Sequence, residues 1–266
     1  MPRLSSPRRV AVTGLGLISP LGIGNQANWD ALTAGRCGLG PITRFDASRL
    51  SSRIAGEVKG FDPSLYIDKK EIKKMDTFIH YAMGAAHLAM EDSGVPVTDA
   101  NRERFAVVVG SGIGGLPLIE ETQRKYIESG NNPRVISPFF ITGLIVNEAG
   151  GNISIKYGMK GPNLATVTAC TTGAHAIGEA FRMIQHGEAD QAIAGGTESV
   201  MTPLAIGGFG VMKALSSRND DPLHASRPWD RDRDGFVIAE GAGLVVLEEM
   251  DLAKKRGARI YAELLG

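Results

Sequence analysis

Apolar residues recur along this chain with two spacings. Short, nearly continuous apolar runs of strand length fall at 10–13, 105–109, 164–168, 191–194, 243–247 and 260–265. Between them, apolar positions return every three or four residues, the period of a helix with one buried stripe. Such segments cover 25–34, 76–92, 116–127, 142–157, 171–185 and 251–255, with a shorter one inside 203–213. Asn25 reads as the N-cap of the first helix and Gly35 as its stop, while Gly94 and Gly187 end two others. Gly14-Leu-Gly16 is expected to close the first strand, and residues 36–68 read as loop. The run Phe-Ala-Val-Val-Val at 105–109 has no polar position, as expected of a strand covered on both faces. Strands alternating with helices predict an α/β fold, with a largely parallel central sheet between helical layers. The pattern at 260–265 opens a further strand that stops at Gly266 without a closing helix, so the chain reads as cut.

Composition narrows this picture. At 266 residues there is material for one large domain or two small ones. Thirty-four glycines and 6% aromatics suit tight strand–helix junctions better than an aromatic binding surface. A net charge of zero argues against a nucleic-acid or membrane partner held by bulk electrostatics. No apolar run is long enough to span a bilayer. The Met1–Arg9 stretch is short, polar and basic with no apolar core behind it, so the expected location is cytoplasmic. Cys37 and Cys170 form neither a metal spacing nor a disulfide framework, and neither metal nor cofactor is expected.

Chemistry concentrates at Cys170, where the 164–168 strand pattern breaks and a small-residue helix begins. A sulfur at such an elbow lies beside the unpaired N–H groups of the first helical turn, which favour the thiolate. A thiolate held there can carry an acyl group as a thioester. The competing reading is a small buried apolar side chain. Gly110-Ser-Gly112-Ile-Gly-Gly115 fits the dinucleotide fingerprint, but the acidic strand end expected about twenty residues on is replaced by a loop. A tight turn beside a cleft is favoured instead. His175 follows Cys170 by five residues, which on a helix turns it away from the sulfur, so it reads as a packed histidine. His80, His87, His186 and His224 stand alone. The charged block from Arg227 to Gly243 reads as a solvated loop with internal ion pairs. Lys70, Lys73, Lys74, Arg134 and Lys213 read as scattered basic surface.

Several blocks then agree with one family. These are Arg9-Val-Ala-Val-Thr-Gly-Leu-Gly16 with Ser19-Pro20, Gly110 to Gly115, Ile136-Ser-Pro-Phe-Phe140 and Thr168-Ala-Cys-Thr-Thr-Gly173. Ala194-Gly-Gly-Thr-Glu198, Ser226-Arg-Pro-Trp-Asp230 and Asp234-Gly-Phe-Val237 complete the set. In this order they resemble the β-ketoacyl-acyl-carrier-protein synthases, most closely type II, the elongating condensing enzymes of fatty-acid synthesis. The resemblance implies a thiolase-like layered α-β-α-β-α fold and a homodimer. This chain supplies the first half (1–256) and the first strand of the second half (257–266).

The resemblance also implies that Cys170 is the acyl-accepting nucleophile, with its own backbone N–H as one oxyanion donor. Ile113, Phe140, Phe209 and Phe236 fall at positions around the acyl pocket, and Lys70, Lys73, Lys74, Arg134 and Lys213 where the acidic acyl carrier protein docks. The 142–157 helix and the strand before Cys170 fall near the dimer interface. The implied reaction is decarboxylative condensation of malonyl-carrier with the Cys170-bound acyl group. The family completes its site with two histidines, a lysine and a Gly-Phe-Gly-Gly-Thr-Asn loop, none of which occurs before Gly266. The expectation is therefore a chain inactive in condensation on its own, with apolar surface exposed where the second half belongs. Two alternatives stay open: a non-catalytic fragment that binds carrier protein or dimerises, and a polyketide-type ketosynthase.

Overall fold

The computed structural model describes residues 7–266, so the N-terminal stretch up to Ser6 lies outside the described residues. The first strand, β1, runs over Val10–Ser19, followed by β2 at Gly22–Ile23 and α1 at Asn25–Thr33. Short strands β3 (Gly40–Pro41) and β4 (Ile54–Ala55) pair within the loop-rich segment, which leads to α2 (Lys69–Ile72) and α3 (Thr77–Ser93). Next come β5 (Phe105–Gly110), α4 (Leu116–Glu128), α5 (Phe140–Leu144), α6 (Glu148–Tyr157) and β6 (Asn163–Leu164). The remainder comprises α7 (Thr172–Gln185), β7 (Gln191–Glu198), α8 (Pro203–Val211), β8 (Gly241–Glu249), α9 (Met250–Lys255) and β9 (Ala262–Leu264).

The main sheet has the order β2-β1-β8-β7-β5-β6, with β9 also on β1. Strands β5, β6 and β7 are parallel, whereas β8 runs antiparallel to both β7 and β1. The sheet is therefore mixed, because β8 returns against its neighbours and β2 and β9 also pair with β1 in antiparallel register. Helices cover both faces. Phe105, Val107, Val109 and Ile193 face a core built with α3 and α6, while Ala106, Val108, Ala192 and Ala194 face one built with α7. The period-two alternation of β5 thus serves two cores, which is why its sequence shows no polar position. The α7 side uses small residues, bringing that helix close to the sheet. Among the described residues, no helix is long and apolar enough to cross a membrane.

Several expected boundaries move, each for a local reason. β1 does not close at Gly14 but continues through both glycines to Ser19, with a register shift between Val12 and Gly14. The glycines are there because α3 lies against the strand: a Cβ on Gly16 would stand 1.9 Å from the Ala85 carbonyl oxygen, and one on Gly14 2.4 Å from that of Ala89. Asn25 is not the N-cap of α1. Gly24 holds that place, and the Asn25 side-chain amide donates to the Leu15 carbonyl at 2.7 Å. The helix expected over 142–157 is two helices, α5 and α6, and the strand expected over 164–168 shortens to Asn163–Leu164.

Asp76 caps α3. Its carboxylate accepts from the Phe78 N–H at 3.4 Å and from the Leu118 N–H at 2.8 Å, tying α3 to α4. Burial outweighs these donors and raises its pKa to about 6 from the ordinary 3.8. The folded state therefore binds this proton more tightly than the unfolded chain, and the stabilisation present below pH 3.8 is lost as pH rises to about 6. The expected size is about 3 kcal/mol. Urea unfolding of the parent and of Asp76→Ala should show their stability difference moving by that amount, to the parent's disadvantage, between pH 4 and pH 7. A difference constant with pH would contradict it.

Candidate active site

Strands β5 and β7 end side by side, and α7 starts directly over them. Missing side chains permit this approach. A Cβ on Gly110 would stand 2.2 Å from the Thr166 carbonyl oxygen and 2.5 Å from Thr172 Cγ2, and one on Gly196 would stand 3.1 Å from Gly173 Cα. Between Thr166 and α7 the chain reverses in a 3-10 turn, Ala169–Thr171. Threonines lock it: the Thr168 N–H donates to Thr172 Oγ1 at 2.9 Å, the Thr171 hydroxyl to the Thr168 carbonyl at 2.8 Å, and the Thr166 hydroxyl to the Thr172 carbonyl at 3.0 Å. Ala169 adopts φ of 54°, a left-handed conformation disfavoured for a residue with a Cβ. The next residue, Cys170, is exposed.

Cys170 borders a cavity of about 600 Å³. Ile113, Phe209 and Phe236 line the same cavity, with Glu198 and the 237–243 segment. The rings of Phe209 and Phe236 meet edge to face at 5.5 Å, giving the cavity an apolar wall. Phe140, expected with them, does not line it. It begins α5 and is not among the residues of this single chain that line the cavity. The 236–243 part of the charged block, expected to be solvated loop, instead forms an inner wall leading into β8. The ion pairs expected in the outer part are present, with Arg227 to Asp230 at 2.8 Å and Arg231 to Asp232 at 3.3 Å.

His175 Nδ1 lies 2.7 Å from the Thr168 hydroxyl, so this histidine braces the turn. None of the five histidines lines the cavity. Among the described residues no acceptor takes the Cys170 N–H, while the Thr171 N–H bonds to the Thr168 carbonyl and the Thr172 N–H to that of Ala169.

Glu198 is the residue that sequence reasoning passed over. Its carboxylate accepts from the Ser111 hydroxyl at 2.7 Å, the Gly112 N–H at 2.8 Å and the Ile113 N–H at 3.1 Å. A side chain of this protein thus occupies the donors that a dinucleotide phosphate would need in a glycine-rich loop. Burial raises the Glu198 pKa against those same donors. The available signal was an acidic residue ending an apolar strand in an α/β sheet, where side chains reach the cleft.

The basic residues occupy three places. Lys70 lies in α2 and Lys73 caps it. Lys74 pairs with Glu71 at 2.8 Å, and its Nζ lies 4.9 Å from the centre of the Phe139 ring. Arg134 is exposed in a 3-10 turn, Pro133–Val135. Lys213, at φ of 55°, lines a second cavity of about 430 Å³ with Arg227, Arg233 and Phe236, so Phe236 walls both cavities.

The model of the β-ketoacyl synthase N-terminal domain matches residues 7–253. The chain belongs to the β-ketoacyl synthase family. Curated β-ketoacyl synthase relatives include the 3-oxoacyl-acyl-carrier-protein synthase 2 proteins of Coxiella burnetii and Vibrio cholerae, 57% and 54% identical over 97% and 98% of this chain. The chain spans 62% and 63% of their respective lengths. A crystal structure of a β-ketoacyl synthase from Burkholderia phymatum superimposes with a TM-score of 0.88 at 32% identity, covering 97% of this chain and 63% of that one. A ketosynthase solved with a type II polyketide acyl-carrier protein, bound to the hexaketide, gives 0.86 at 32% identity, covering 98% and 62%. The fold is thiolase-like, as the resemblance implied, and the chain corresponds to the amino-terminal part of these synthases.

Proposed function

We propose that this chain is the nucleophile-bearing part of a 3-oxoacyl-acyl-carrier-protein synthase of type II, which extends fatty acyl chains. The observation that carries this reading is an exposed cysteine at the mouth of an apolar cavity, on a turn whose N–H points to no protein acceptor. In the loading step the Cys170 sulfur attacks the thioester carbonyl of an acyl carrier. The bond from that carbonyl to the carrier sulfur breaks, the carrier leaves as its thiol with the Cys170 proton, and the acyl group remains on Cys170. The Cys170 N–H, which no acceptor among the described residues takes, is the proposed donor to the oxyanion formed on the way. Ile113, Phe209 and Phe236 supply the apolar wall for the acyl chain.

Condensation then requires malonyl-carrier to lose carbon dioxide and the resulting carbanion to attack the Cys170 thioester, expelling the thiolate. The cavity holds no histidine or lysine of this chain to stabilise that carbanion, so this step belongs to groups outside residues 1–266. We read 1–256 as the ketosynthase half and 257–266 as the strand leading into the second half. The reading predicts single-turnover acyl transfer to this chain without 3-oxoacyl product. Product formed by the purified 266-residue chain from malonyl-carrier would overturn the division of labour.

The acidic acyl carrier protein is the proposed partner, docked through Lys70, Lys73, Lys74, Arg134 and Lys213. Local positive charge steers an acidic partner even at zero net charge. Reversing Lys70 and Lys74 to glutamate in the complete enzyme should raise KM for acyl-carrier about tenfold and leave small acyl thioesters unchanged. Equal losses with both substrates would remove the docking role. A homodimer is supported by the outer edge of β6, where Leu164 and the nearby Val167 and Ile155 are exposed, the last at 80%. Analytical ultracentrifugation of the complete enzyme should give twice the chain mass.

A further inference from the structure

Glu198 has no part in the loading chemistry, yet its placement is costly to maintain. It is a largely buried carboxylate whose charged form burial disfavours. Its three hydrogen-bond donors all come from one segment, residues 111–113 at the exit of β5. Ser111 extends the anchor, because its hydroxyl also accepts the Gly114 N–H at 3.0 Å. Gly112 keeps room for the carboxylate: a Cβ there would stand 2.9 Å from Glu198 Oε2, and 3.6 Å from Ala169, the residue before Cys170. The segment thus tied down lies against the Cys170 turn and carries Ile113, whose side chain lines the acyl cavity and remains 42% exposed. An apolar side chain so open, on a loop of glycines, has little packing of its own to fix its place.

We infer that Glu198 is a positioning residue for substrate length: by pinning residues 111–113 it holds Ile113 as the stop that limits how far an acyl chain enters beyond Cys170. The inference rests on the acyl-transfer reading above. Removing the carboxylate frees the segment, lets Ile113 recede and favours longer chains.

The test uses the complete enzyme and a series of acyl thioesters from four to sixteen carbons, with kcat and KM measured separately. Glu198→Ala should raise the long-to-short ratio of kcat/KM about tenfold, with kcat for the short substrate changing less than about threefold. Glu198→Gln, which keeps one carboxyl-type oxygen for the two backbone donors, should fall between parent and Glu198→Ala. If Glu198→Ala does not fold by circular dichroism, the glutamine variant carries the test, with a ratio above the parent's expected. In a double-mutant cycle, Ile113→Ala should shift the ratio by itself, and adding the Glu198 change should shift it no further. Equal losses at every chain length, or shifts that simply add, would overturn the inference. If the parent does not acylate Cys170 at all, the acyl-transfer reading fails instead, and the two failures are told apart.

Discussion

Replacing Cys170 by serine is expected to lower acyl transfer in the complete enzyme by about 10⁴-fold or more, the scale seen when a covalent nucleophile is removed. Serine keeps the size and the backbone turn, so circular dichroism and thermal midpoint should not move. Its hydroxyl is far less acidic than a thiol, and no histidine of this chain lines the cavity to take its proton, His175 being turned to Thr168. The effect should appear in kcat with little change in KM for acyl-carrier, because none of the proposed docking residues lines the cavity that Cys170 borders. Cys37 is the internal control, since it too is exposed. Cys37→Ser should leave the rate within about twofold. A Cys170→Ser enzyme with near-parental activity would remove the covalent step from the account.

Gly16→Ala is expected to cost the fold about 3 kcal/mol or more, far beyond an ordinary strand substitution. The added methyl would stand 1.9 Å from the Ala85 carbonyl oxygen and 2.7 Å from the Ala89 N, both backbone atoms of α3. A side chain could rotate away, whereas a helix backbone must move as a body. α3 is largely buried, with Phe78, Ile79, Tyr81 and Ala85 among its interior residues, so moving it disturbs the core on that face of the sheet. Urea unfolding reads this as a lowered midpoint at constant slope. A midpoint within about 0.5 kcal/mol of the parent would mean that the close approach of α3 and β1 does not restrain the fold.

Both effects were partly legible in the sequence. α3 was legible almost to its ends, because Asp76 and Gly94 supply chemical start and stop signals on either side of a periodic apolar stretch. β5 was legible because five apolar residues in succession fit a doubly covered strand. The glycines misled at Gly14 and Gly16. A glycine in a strand pattern signals either a turn or the close approach of another backbone, and the second partner lies about seventy residues away in α3. The direction of β8 was also hidden, since pairing sense depends on connections that a strand's own side chains do not encode. The strand expected before Cys170 shortened where the threonine side chains at 166, 171 and 172 bond to the turn's own backbone instead of leaving it to a sheet neighbour.

The site divides in the same way. Cys170 announced itself through chemistry, a cysteine at a strand-to-helix break, and the structure leaves it exposed. Ile113, Phe209 and Phe236 came through resemblance alone, and they meet in one cavity although about 120 residues separate the first from the last. Phe140 came by the same route; it begins α5 and is not among the residues of this single chain that line the cavity. Glu198 was visible only as one letter of a motif. Its role needs the crossing of β7 with the 111–113 segment, and no pattern within either segment reports that contact.

The most direct test of the account is where an acyl group lands. The chain should be incubated with a saturated acyl thioester of carrier protein, quenched in acid, digested and mapped by mass spectrometry. The account predicts one added acyl mass on the peptide holding Cys170, lost on treatment with neutral hydroxylamine, and none on the peptide holding Cys37. Acyl groups spread equally over both cysteines, or absent from Cys170 while the carrier remains loaded, would contradict it.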